Sequence, residues 1–252
     1  MPRSDITIKT RDGLCPASLF TSTSRAGPWP AVIFFMDEFG IRPALWEMGQ
    51  RLADGGYLVL LPDLYYPLGS YSPMVPAEVM ANPKLWENLT KRVASLHRGR
   101  KISDAAALIE FLASRPEVEG DQFGAVGYSM GGNLSLTAAG AFPDRFAAAA
   151  SFHSGSLVTN EWDSPHLFVK YITSRIYVAG ADDDASFTEG QKYRFKQALI
   201  EARVDHLVET YPGALRGFAI PDVNAFDRFA SERHWATLLR LFQESFVLEH
   251  RR

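Results

Sequence analysis

Cysteine is almost missing from this chain of 252 residues: Cys15 stands alone, so no intramolecular disulfide can staple the fold. Long hydrophobic runs are missing too. Nowhere do 18 apolar residues follow one another, which excludes a segment that reads as a membrane-spanning helix. Neither charge dominates, because 26 Lys and Arg stand against 29 Asp and Glu, for a net charge of −3. The basic residues are interspersed, and the terminal His250-Arg251-Arg252 is too short to be a basic tail, so no electrostatic footprint for nucleic acid is present. The sequence has no His-Glu-x-x-His, no paired His or Cys spacing and no EF-hand loop; it calls for no metal and no cofactor. Behind Met1-Pro2-Arg3-Ser4-Asp5 there is no apolar leader. These absences lead us to expect a cytoplasmic protein, monomer or homodimer, with a small-molecule partner, no nucleic acid and no membrane.

What is present is a chain 46% apolar and 22% charged, enough to bury a substantial core in one domain spanning 1–252. Short apolar runs at 31–35, 57–61, 123–127, 146–152 and 175–178 read as strands buried on both faces. Between them, 43–53, 103–113, 133–141, 188–202 and 226–247 carry apolar residues at helical spacing, with Ser103 as an expected N-cap. Residues 6–8 and 17–20 flank Asp12-Gly13 and read as an antiparallel hairpin, and 207–211 as a last strand. The expected class is α/β: a mostly parallel sheet with an N-terminal hairpin and helices on both faces.

Within that alternation, Gly127-Tyr128-Ser129-Met130-Gly131-Gly132 places a serine between glycines where a strand turns into a helix. This is the pattern of a nucleophile elbow, which exposes the hydroxyl of Ser129 and aims the amide of Met130 at a developing oxyanion. In an open parallel sheet, ligands bind beyond the carboxyl ends of the strands. The other exits read Met36-Asp37-Glu38-Phe39-Gly40, Pro62-Asp63-Leu64-Tyr65-Tyr66, His153-Ser154-Gly155 and Asp182-Asp183-Asp184.

Together with Tyr211-Pro212-Gly213-Ala214-Leu215-Arg216-Gly217-Phe218, these segments resemble the dienelactone hydrolase family of the α/β-hydrolase superfamily over nearly the whole chain. The resemblance implies hydrolysis of an ester or lactone by a nucleophile, acid and histidine in that chain order. It places Ser129 as nucleophile, where most members carry cysteine, and Asp184 as the acid, with Asp183 next in line. It implies the amides of Met130 and Glu38 as oxyanion donors and an acidic residue at Asp37 that interacts with the nucleophile; the Glu38 side chain is left open. At the histidine position stands Arg216. A guanidinium with a pKa above about 12 accepts no proton at neutral pH, so the expected catalytic set Ser129, Asp184 and Arg216 lacks a base. Ile220 stands where the dienelactone enzymes proper are expected to bind a carboxylate with arginine.

No other histidine is an obvious substitute. His206 opens the last strand, roughly 17 Å from its carboxyl end; His97, His234 and His250 read as structural, and His166 sits in a connection. His153 leaves a strand on the catalytic face and reads as pocket-lining. Residues 63–82 form a long connection rich in Tyr and Pro, expected to cover the site. The expected substrate pocket is thus Asp37, Phe39, Tyr65, Tyr66, Tyr71, His153 and Phe218, while Trp46 and Trp86 read as core anchors.

Overall fold

The structure, a computed structural model, describes residues 3–182 and 184–249. Its strands are β1 (Arg3–Thr10), β2 (Gly13–Phe20), β3 (Trp29–Phe35), β4 (Leu58–Pro62), β5 (Val118–Tyr128), β6 (Phe146–Phe152), β7 (Arg175–Ala181) and β8 (His206–Tyr211). They form one sheet in the order β1-β2-β4-β3-β5-β6-β7-β8. The β1–β2 and β2–β4 pairs are antiparallel and every later pair is parallel. Residues such as Ile33, Phe34, Leu60, Val126 and Ala149 are fully buried in mid-sheet. That explains the unbroken apolar runs, since a strand covered on both faces has no solvent side on which to alternate.

The helices are α1 (Pro43–Asp54), α2 (Pro76–Ala81), α3 (Pro83–Ala94), α4 (Arg98–Ala113), α5 (Met130–Ala141), α6 (Glu189–Glu201) and α7 (Arg228–Glu249); α2 and α3 pack on each other and, through Val79 and Leu89, cluster with Phe39. Ties between neighbours are specific: Arg51 pairs with Glu232 between α1 and α7, and Lys101 Nζ donates to Asn133 between α4 and α5. α6 opens on a capping box, in which Thr188 and Gln191 bond each other's backbone amides.

Two sequence expectations change. Ser103 lies inside α4, whose N-cap is His97, its Nδ1 accepting from the Arg100 amide at 3.3 Å. The helix begins earlier because Arg100 is buried and reaches both Asp104 and the Leu64 carbonyl. The connection 63–82 is not structureless, since α2 lies within it and α3 follows directly. Asn82 caps α3 by accepting from the amides of Lys84 and Leu85, and Pro76 and Pro83 stand at first helical positions, where a missing N–H is no loss.

Candidate active site

Six parallel strands end on one edge of the sheet, and each exit delivers a residue to the same region: Asp37 after β3, Tyr65 after β4, Ser129 after β5, His153 after β6, Asp184 after β7 and Arg216 after β8. At the β5 exit the backbone of Ser129 has φ 51° and ψ −114°, a conformation costly for a residue with a Cβ. The flanking glycines make that turn possible. A Cβ on Gly127 would stand 1.9 Å from the Gly131 carbonyl oxygen, and one on Gly131 would stand 2.3 Å from that of Phe35. The Ser129 amide is held by the Phe152 carbonyl at 3.0 Å. Met130 opens α5, so its N–H belongs to the unsatisfied first turn of a helix, where partial positive charge collects.

The hydroxyl of Ser129 meets arginine. Arg216 Nη2 donates to Ser129 Oγ at 2.7 Å, and Nη1 donates to Ser186 Oγ. Ser186 in turn donates to Asp184 Oδ1, at 2.5 Å from its hydroxyl and 2.8 Å from its amide. Asp184 is thus linked to Arg216 through the Ser186 hydroxyl. Asp184 Oδ2 is buried with no hydrogen-bond partner among the described residues. Ser186 went unnoticed in the sequence, although Asp184-Ala185-Ser186 has the spacing of a carboxylate that folds back on the amide two residues on. Asp183 lies outside the described residues.

A cavity in two lobes surrounds this arrangement. One lobe, of about 350 Å³, is lined by Ser129, Asp37, Phe39, His153, Arg216 and Trp86 among others. The second, of about 380 Å³, is walled by Trp86, Leu89 and Val93 of α3, with Met130 and Lys101. Glu38, Trp86 and Arg216 border both. Trp86 is thus no core anchor: it is 46% exposed at the cavity, whereas Trp46 is partly buried against the core.

His153 is 1% exposed, has φ 41°, and neither of its ring nitrogens has a hydrogen-bond partner among the described residues. Burial, reinforced by the charge of Arg216, pushes its pKa down to about 3, so the ring is neutral. Phe218 stands behind it, 5.1 Å between ring centroids and stacked on Tyr211; it supports the lobe without lining it. The tyrosines of the covering segment point elsewhere. Tyr65 donates to the Glu38 carbonyl at 2.8 Å, and Tyr71 donates to Asp63 and accepts from the Ile41 amide, each at 3.0 Å. Tyr66 donates to Asp104 at 2.8 Å, away from the cavity. Tyr65 and Tyr71 brace the loop at 37–41, and the apolar wall comes from α3 instead.

None of the other described histidines lines the lobe that holds Ser129. His206 opens β8 with Nδ1 against the Val204 carbonyl, and His166 meets Ser164. His234 is fully buried between the Tyr128 hydroxyl and the Ser231 carbonyl, and His250 lies outside the described residues. Among the described residues no cluster of metal-ligating side chains occurs, and no helix is long and apolar enough to cross a membrane.

A model of the dienelactone hydrolase family matches residues 16–246. The chain belongs to this family. A relative from Synechocystis sp., named "Putative carboxymethylenebutenolidase", is 24% identical over 222 residues, covering 86% of this chain and 87% of its own. Among solved structures, one from Klebsiella pneumoniae superposes with a TM-score of 0.81 at 20% identity, covering 96% of this chain and 98% of that one. A dienelactone hydrolase-like promiscuous phosphotriesterase, P91, from metagenomic libraries gives 0.75 at 23% identity, covering 97% and 99%. At these identities the structures establish the α/β-hydrolase fold, and family membership makes this a hydrolase scaffold of the dienelactone type.

Proposed function

We propose that the chain is a single α/β-hydrolase domain that binds a small soluble ester or lactone and attacks it through Ser129, and that its turnover as it stands is impaired. Ser129 Oγ adds to the carbonyl carbon, and the carbonyl oxygen, now an oxyanion, is held by the amides of Met130 and Glu38. Attack requires the hydroxyl to lose its proton, which here passes only to solvent water. The oxyanion then collapses, the alcohol leaves with a proton from water, and a second water releases the acyl group from Ser129 as the acid. The observation that carries the reading is the 2.7 Å contact in which Arg216 Nη2 donates to Ser129 Oγ. The bond runs the wrong way for a base, because all the hydrogen-bonding groups of a guanidinium are donors. Arg216 stabilises an alkoxide or oxyanion once formed but takes no proton. The carboxylate of Asp184, linked through Ser186, holds the arginine in place as it would hold an imidazole.

A second reading rests on the position of Arg216 between the two lobes. There a planar cation clamps an anionic group of the substrate, and Asp37 or His153 is left as the base. The neutral, acid-shifted ring of His153 and the engagement of Asp37 by Arg42 favour the first reading. A third, in which the pocket binds without turnover, differs from the first only in the residual rate.

The deciding experiment is hydrolysis of p-nitrophenyl acetate by the chain and by Arg216→His. Restoring an imidazole raises the rate at least about a hundredfold, and Ser129→Ala in that background abolishes it. A brisk rate in the unaltered chain that falls in Arg216→His selects the second reading.

A further inference from the structure

A charge cluster centred on buried Arg42 reaches the cavity at Asp37, and the favoured chemistry above gives Arg42 and Asp222 no part. Arg42, at the N-cap of α1, is 1% exposed, and all five of its N–H bonds are taken. Nη1 donates to Asp37 Oδ1 at 2.6 Å and to the Gly40 carbonyl at 3.1 Å. Nη2 donates to Asp37 Oδ2 at 2.8 Å and Asp222 Oδ1 at 2.9 Å, and Nε donates to Asp222 Oδ2 at 2.7 Å. One guanidinium thus makes two forks to two carboxylates, an arrangement that its planar donor set permits and an ammonium cannot reproduce.

The two carboxylates belong to different segments, 185 positions apart in sequence. Asp37 starts the loop that presents the Glu38 amide, and it closes that loop by accepting the Phe39 amide on Oδ1 at 3.1 Å and the Gly40 amide on its carbonyl at 3.2 Å. Asp222 belongs to the loop that carries Arg216. Asp37 and Phe39 line the Ser129 lobe, as do Arg216, Gly217, Ile220 and Val223; the two loops that Arg42 joins therefore both border one lobe, although Asp222 itself does not line it. A buried guanidinium that loses a partner is left with an uncompensated charge, so the staple resists being opened from either side.

The geometry points to Arg42 as a positioning residue that fixes the oxyanion loop against the loop of residue 216. This rests on the proposed oxyanion role of the Glu38 amide. The test has two arms. In amide hydrogen exchange on the otherwise unaltered chain, Arg42→Gln speeds exchange at 37–41 and at 216–223 together, by about tenfold or more, and leaves the elbow at 127–132 unchanged. Acceleration in one segment alone, or a uniform rise over the sheet, overturns the staple. Should Arg42→Gln fail to fold, Asp222→Ala, which removes only the partly exposed partner, gives the same two-segment pattern at about severalfold; its silence overturns the staple equally.

In the second arm, Arg42→Lys is made in the Arg216→His background. The kcat for p-nitrophenyl acetate falls by about tenfold with KM held within about twofold, because the oxyanion donor is misplaced while the cavity is intact. A rise in KM with kcat held overturns the positioning role. If Arg216→His itself shows no activity, the reading of Ser129 fails, and hydrogen exchange still decides the staple.

Discussion

The two sides of the Ser129 hydroxyl are built on different physical grounds. On the elbow side, β5 passes into α5 through a turn that leaves no room for a side chain at Gly127 or Gly131, because backbone atoms of the elbow and of β3 already fill the space. On the other side, the loop after β8 carries an exposed residue, Arg216, whose identity is not forced by packing. Steric necessity preserves the first side whatever the chemistry does. The second can vary without disturbing the fold, so the geometry that holds Ser129 does not depend on which residue stands at 216.

The comparison breaks most directly at the glycines. Gly127→Ala is expected to cost about 4 kcal/mol or more, since a methyl group 1.9 Å from a backbone oxygen must displace the chain itself. A thermal melt shows a lower Tm or no cooperative transition, and an unchanged Tm would refute the steric account of the elbow. Arg216→His is the opposite case. It leaves Tm nearly unaltered while the gain of at least about a hundredfold in ester hydrolysis corresponds to about 2.7 kcal/mol of barrier.

The third test concerns two buried histidines, His153 and His234, whose pKa values burial lowers to about 3. Both stay neutral when folded and take up a proton near pH 6.5 when unfolded. The stability they contribute is complete above pH 6.5 and is lost as pH falls toward 3, at about 1.4 kcal/mol per pH unit for each ring. Denaturant melts between pH 7 and 4 measure the slope, and His153→Phe removes one ring's share of it. If the slope is the same with and without His153, the ring is not held neutral.

The smallest effect sharpens the picture of the cavity. In the Arg216→His background, Trp86→Ala is expected to raise KM for p-nitrophenyl butyrate about threefold to tenfold. Because Trp86 is half exposed, Tm stays within about 1 °C. A large loss of stability with KM unmoved would return Trp86 to the core.

The strands were readable because burial on both faces writes itself as apolar runs, and the elbow because glycines bracket one serine. The covering helices were harder to see. Residues 63–82 read as one long connection, yet Pro76 opens α2, and Asn82 caps α3, which Pro83 opens; the residues that follow a proline, rather than the proline itself, decide whether a helix begins there. Tyr66 was placed at the cavity by its neighbourhood in sequence, but a tyrosine one position further along a chain leaving the sheet faces another way, and its hydroxyl finds Asp104. Arg42 and Ser186 escaped notice for a different reason: each acts through a partner distant in the chain or through a turn, and a single arginine or serine in a loop carries no periodicity.

The sequence by itself determined the α/β alternation, the strand exits and the presence of a serine in an elbow, all of which follow from local steric and burial rules that one segment can express. It also determined that arginine stands where a base is expected. Only the tertiary structure decided what that arginine touches, that Ser186 stands between it and Asp184, and that Arg42 joins two loops. Those contacts depend on which strand ends are brought side by side, and the order of strands in a sheet is set by long-range packing that no short stretch of sequence records.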